Sequence, residues 1–176
     1  MRSLSSTKCQ LVGQQLSLTE DDILNRVTWS YVPKQNTANA AGELHSLNRI
    51  VDNLDKFNCK LIAVTGDSVE SNYAWYRAPI SNHGLDNSID FPLVGDRSLK
   101  ICRSYGVAIE HNGQAIKCAY IIDPSRKIRA VLNLDHGLNF SVDEIIRLIR
   151  ELHDANQVDS SVEKWSPPTA ADVEFD

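Results

Sequence analysis

The sequence predicts a three-layer α/β/α sandwich, and three observations predict it. Short β-branched or apolar runs alternate with amphipathic stretches along most of the 176 residues. The run KLIAVTG (60–66) has few polar gaps, as a strand buried on both faces of a parallel sheet does. Two late strands meet across tight turns just before an amphipathic helix, so helices are left to cover both faces of one sheet.

Residues 1–16 are polar and have no period. Residues 18–24 offer one or two helical turns, with Thr19 as N-cap and acids in the first turn. VTWSYV (27–32) is β-branched and aromatic and reads as a strand. Pro33 ends it, and KQNTANAAG (34–42) reads as a polar loop. Leu44, Leu47, Ile50, Val51, Leu54 and Phe57 follow three-four spacing and predict one amphipathic helix over 43–57. After the buried strand at 60–66, Ser68 caps a helix running to about Arg77 that carries Trp75, a residue for core or interface packing. FPLVG (91–95) reads as a strand and 97–104 as a short helix that Tyr105-Gly106 closes. His111-Asn112-Gly113 is a turn signal between two strands. A second turn at 123–126 leads into the hairpin strand KIRAVLNL (127–134). Ser141 then caps a helix whose buried face is Val142, Ile145, Ile146, Leu148, Ile149 and Leu152, with Asp143 and Glu144 favouring its N-terminus. A βαβ half joined to a ββα half is the thioredoxin arrangement. The chain reads as one domain, 1–153, followed by an acidic surface or disordered tail, 154–176, that contains Pro167-Pro168.

Hydrophobic residues are 42%, charged residues 23% and the net charge is −5. With no Lys/Arg block, nucleic acid is excluded as a partner. No apolar run approaches the roughly 18–20 residues of a membrane span. The start lacks an apolar signal segment, which predicts a cytoplasmic protein. The Arg, Lys and Ser of its acid-free beginning also fit a mitochondrial transit peptide. The four cysteines, Cys9, Cys59, Cys102 and Cys118, form no CxxC pair and have no His at metal-ligand spacing. They predict reduced thiols, with no metal, cofactor or disulfide framework. His45, His83, His111, His136 and His153 are scattered and compose no catalytic set.

Four segments then match a family in the correct order: KLIAVTGDSVESNYAWYRAP (60–79), DFPLVGDRSLKICRSYGV (90–107), CAYIIDPSRKIRAV (118–131) and SVDEIIRLIREL (141–152). From Glu43 to Leu152 the chain resembles the typical 2-Cys peroxiredoxins, the AhpC/TSA group with a thioredoxin-like fold. That family carries Pro-x-x-x-Thr-x-x-Cys at the start of the helix after the first strand. Here the motif falls on Pro33, Thr37 and Ala40, so alanine holds the peroxidatic cysteine position. Glu43 matches the acid three residues later. The family's pocket arginine falls on Lys117, and its resolving cysteine, counted back from Trp165, on Ser161.

The resemblance implies thiolate attack on a peroxide oxygen, giving a sulfenic acid, with the thiol pKa lowered by a helix N-terminus and an arginine. An alanine methyl has no lone pair and nothing to oxidise. Lysine keeps the charge but loses the planar two-donor fork. The expectation is therefore a peroxiredoxin-like protein that has lost thiol peroxidase activity. It would act as a scaffold, regulatory or chaperone-like subunit, as a homodimer or ring-shaped homo-oligomer, alone or with an active relative. Three alternatives stay open. One is a thioredoxin-dependent peroxidase using a relocated cysteine, for which Cys9 is the reactive candidate and thioredoxin the partner. A second is an engineered cysteine-to-alanine form of an active peroxiredoxin. A third is a ligand-binding module built on Asn36, Thr37 and Asn39.

Plainer readings exist for each residue. Pro33 suits a strand terminator, Thr37 a loop hydroxyl, Lys117 a snorkelling strand residue and Glu43 a first-turn helix acid. Neighbouring strand residues point to opposite faces. If Lys117 faces the pocket, Cys118 faces away. Cys59 and Cys102 read as core thiols.

Overall fold

The computed structural model describes residues 27–32, 38–123, 125, 127–135 and 137–158. Strand β1 (Val27–Val32) lies at the centre of a five-stranded sheet of order β3-β2-β1-β6-β7. β2 (Lys60–Thr65) and β3 (Leu93–Gly95) run parallel to it, with Val27 opposite Lys60 and Val32 opposite Thr65. β6 (Lys117–Ile122) runs antiparallel to β1, with Ser30 opposite Ala119, and β7 (Ile128–Leu134) antiparallel to β6. A small hairpin, β4 (Ala108–Ile109) and β5 (Gln114–Ala115), stands apart from the sheet. The helices are α1 (Ala38–Asn48), α2 (Val51–Lys56), α3 (Val69–Arg77), α4 (Lys100–Ser104) and α5 (Val142–Val158).

The period-two alternation of β2 and β6 divides the interior into two cores. Leu61, Ala63, Ala119 and Ile121 pack with Leu44 and Leu47 of α1, Leu54 of α2, Trp75 of α3 and Ile145 and Ile149 of α5. On the opposite face, Ile62, Val64, Cys118, Tyr120 and Ile122 pack with Cys102 of α4, Leu99 and Val107. Helices therefore cover both faces of a central sheet, the three-layer thioredoxin-like arrangement that the alternation predicted.

The caps follow the sequence. Ser68 accepts from the N–H of Ser71 at 3.2 Å at the start of α3, and Ser141 accepts from that of Glu144 at 3.3 Å at the start of α5. Gly106 and Gly113 take the positive φ that their turns require, +71° and +66°.

Several boundaries differ. The expected single helix over 43–57 is two helices, and the first begins at Ala38, inside the expected loop. Ala38, Ala40 and Ala41 carry the helix backwards through alanine's high propensity. The break falls at Arg49 and Ile50, where the N–H of Ile50 bonds to the carbonyl of Leu47 at 3.1 Å. Asn48 is drawn to a distant segment: its amide donates to the Ser88 carbonyl at 2.9 Å and accepts from the N–H of Asp90 at 2.8 Å. Leu99 adopts a left-handed backbone, φ 54°, so the helix expected over 97–104 is confined to α4. α5 continues to Val158, past residue 154 where the tail was expected to begin. The readings on Thr19, Pro33, Asn36, Thr37, Cys9, Ser161, Trp165 and the 18–24 segment lie outside the described residues.

Candidate active-site region

Ala40 is the third residue of α1 and is buried in the first core. Glu43 follows one turn later on the same helix face, where residues three apart are neighbours. Lys117 opens β6, next to the Val32 end of β1 by the sheet register. The two charges meet: Lys117 Nζ lies 2.8 Å from Glu43 Oε2, with side chains only 4% and 3% exposed. Two charges so sealed from water persist only when paired and hydrogen-bonded, and both are. Glu43 Oε1 accepts from the main-chain N–H of Phe140 at 2.9 Å. Lys117 Nζ also donates to the carbonyl of Leu138 and lies 5.3 Å from the centre of the Phe140 ring.

This contact corrects two of the plainer readings. Lys117 is not a snorkelling strand residue, because its ammonium is buried. Glu43 is not a first-turn acid, because α1 starts five positions earlier, at Ala38, and its first turn holds no acid. Beside the pair, a cavity of about 320 Å³ opens between Asn39, Gly42, Glu43 and Ser46 on one side and Asn139 and Phe140 on the other.

Of the sequence-derived positions within the described residues, the structure brings Glu43 and Lys117 into contact and sets Ala40 one helical turn away. Leu138 and Phe140 were missed. Phe140 stands just before the Ser141 cap and shares the first core with Ile145, the spacing of a hydrophobic staple. That signal reveals its burial but not its bond to Glu43.

The described thiols stand elsewhere. Cys118 lies with Cys102 in the second core, across the sheet from Ala40, as strand alternation required once Lys117 faced the pair. Burial pushes the Cys118 thiol up to about 11. It raises that of Cys102 further, where a hydrogen bond from the thiol to the Asp96 carboxylate adds to the effect. Cys59 precedes Lys60, the partner of Val27. It is therefore at the opposite end of β1 from the start of α1, roughly 17 Å away along the strand. Among the described residues no three His, Cys, Asp or Glu side chains gather as a metal site. No described helix is long and apolar enough to cross a membrane.

The order of strands and helices is that of a thioredoxin-like sandwich, and sequence comparison gives the family. The AhpC/TSA family signature matches residues 6–131, and the chain belongs to that family. It is 36% identical to peroxiredoxin 2 of Drosophila melanogaster over 95 residues, 54% of this chain and 48% of the relative. Over 113 residues it is 36% identical to alkyl hydroperoxide reductase C of Buchnera aphidicola, covering 63% of this chain and 55% of the relative. The matched part of the chain thus spans about half the length of these curated relatives. Among solved structures, AhpC of Enterococcus faecalis superposes with a TM-score of 0.78 at 21% identity, covering 89% of this chain and 92% of that one. Thioredoxin peroxidase I of Plasmodium yoelii gives 0.70 at 27% identity, covering 82% and 83%.

Proposed function

We propose that this chain is a peroxiredoxin-like protein without thiol peroxidase activity, serving as an oligomerising scaffold, regulatory or chaperone-like subunit. One feature supports the reading most: Ala40, buried in the first turn of α1, falls on the position that the family's motif gives to its peroxidatic cysteine. The surroundings agree. A peroxidatic thiolate needs a cation and free donors beside it. On the family's motif, a lysine with a point charge stands here in place of an arginine fork, and it is bound to Glu43 and to the Leu138 carbonyl. The thiols of Cys102 and Cys118 have pKa values moved up, opposite to the direction that makes a nucleophile.

Pro33, Thr37, Ala40, Glu43, Lys117 and Ser161 are, on this reading, the remains of a hydroperoxide site. The surfaces through which such a fold self-associates do not depend on the missing sulfur. The assembly we propose is a homodimer or closed ring, alone or mixed with an active relative.

The experiment is hydroperoxide consumption by the purified chain with thioredoxin and its reductase, with free thiols counted before and after and native mass measured in parallel. The expected result is no turnover above background, an unchanged thiol count and a mass of two or more chains. Turnover abolished by replacing one of the four cysteines overturns the loss of activity and favours a relocated thiol, Cys9 first. A monomer overturns the scaffold.

A further inference from the structure

The two walls of the cavity beside Glu43 belong to different parts of the chain. One wall is the α1 face bearing Asn39, Gly42 and Ser46. The other is the connection into α5, with Asn139 and Phe140. Glu43 joins them, one carboxylate oxygen on the Phe140 N–H and the other on Lys117. Lys117 in turn binds the Leu138 carbonyl and faces the Phe140 ring. The head of β6, the helix and the connection therefore share one sealed ion pair.

We infer that Glu43 and Lys117 form a latch, so that α1 and the 138–142 connection leave the sheet together or not at all. If α1 moved alone, it would strip the carboxylate from a buried ammonium. If the connection moved alone, the carboxylate would lose its main-chain donor and the ammonium its carbonyl. Either partial opening leaves a buried charge short of partners, the costliest way to break such a pair. Opening both at once delivers the two charges to water. Segments coupled in this manner open as a cooperative unit rather than fraying independently. The latch ties together the two walls of a cavity that is already open to solvent, and it does not depend on whether the chain turns over peroxide.

Amide hydrogen exchange on the intact chain tests this. In wild type under rising denaturant, the amides of α1 beyond Glu43 and that of Phe140 should converge on one opening curve, below that of central β6. In Glu43→Gln or Lys117→Met, both groups of amides should exchange faster by the same factor, about a hundredfold or more, while central β6 changes less. The double replacement Glu43→Leu/Lys117→Met, which removes both charges, should recover most of the protection of the α1 amides, whereas the Phe140 amide, stripped of its acceptor, stays fast. The inference is overturned if Phe140 opens at lower denaturant than α1. It is equally overturned if a single variant accelerates only one wall, or all of β6 by the same factor. The wild-type curve decides the matter even where a variant does not fold.

Discussion

The indole N–H of Trp75 donates to the main-chain carbonyl of His83 over 2.7 Å. The same tryptophan's own carbonyl accepts from the N–H of Leu85 at 3.1 Å. One fully buried ring thus fixes the 78–88 turn by both its side chain and its backbone. The turn needs that hold, because His83, Asp86 and Asn87 all take positive φ, which costs residues with a Cβ. Trp75→Phe keeps an aromatic ring but leaves the His83 carbonyl without its donor. We expect a loss of about 1–3 kcal/mol, read from the urea midpoint at unchanged slope. An unchanged midpoint would show that water serves that carbonyl equally well.

Two glycines should respond in opposite directions. A Cβ at Gly84 would lie 2.0 Å from the carbonyl oxygen of Ala78, a backbone atom that cannot move aside. Gly84→Ala should destabilise by about 1–3 kcal/mol. Gly42 is within α1, and a Cβ there meets nothing within 4 Å. Gly42→Ala should stabilise by roughly 0.5–1 kcal/mol, the ordinary cost of glycine in a helix. Thermal melts of the two variants beside wild type check both signs at once.

Alkaline pH should unfold this protein through its second core. Burial holds the Cys118 thiol at about 11 against an ordinary 9.0, raises Cys102 in the same direction and holds the Tyr120 phenol at about 12 against 10.0. Each raised group keeps its proton longer in the fold than in the unfolded chain. Its contribution is therefore whole below its ordinary value and is lost as pH climbs through the folded one. Stability should be level up to about pH 9 and fall above it. The slope should approach about 1.4 kcal/mol per pH unit for each thiol that differs. Urea midpoints at pH 7, 9 and 10.5 measure it, and a flat profile would contradict the burial of these groups.

Restoring sulfur alone should restore little chemistry. In Ala40→Cys the thiol would sit at a helix N-terminus, but the lysine that stands in the arginine's place stays bound to Glu43 and the Leu138 carbonyl. Missing preorganised donors typically cost about a hundredfold or more in rate. We expect hydroperoxide consumption at least about a hundredfold below that of an active peroxiredoxin assayed alongside. Comparable turnover would show that the remaining pocket is intact.

The layers of this fold were legible because burial leaves a period. The apolar run of β2 and the three-four spacing of α5 are local signals, and the Lys117/Cys118 alternation correctly set the charge and the thiol on opposite faces. What was not legible depended on partners far along the chain. Nothing near Asn48 announces Ser88 and Asp90, so the division between α1 and α2 was invisible beneath a hydrophobic pattern that continues across it. In the same way, Glu43 and Lys117 each had an ordinary local explanation. Only the parallel β1–β2 and antiparallel β1–β6 pairings bring α1 to the head of β6 and turn two surface-type residues into a buried pair.

The neighbours Lys117 and Cys118 carry a consequence for how the sheet assembles. A slip of β6 by one position would drive an ammonium into the packing of Leu99 and Val107 and bring a thiol before a carboxylate that cannot use it. The mistaken alignment would be rejected by electrostatics before side chains had a chance to interlock. The ion pair thus works as a proofreader, admitting the one pairing of the central strands in which charge finds charge.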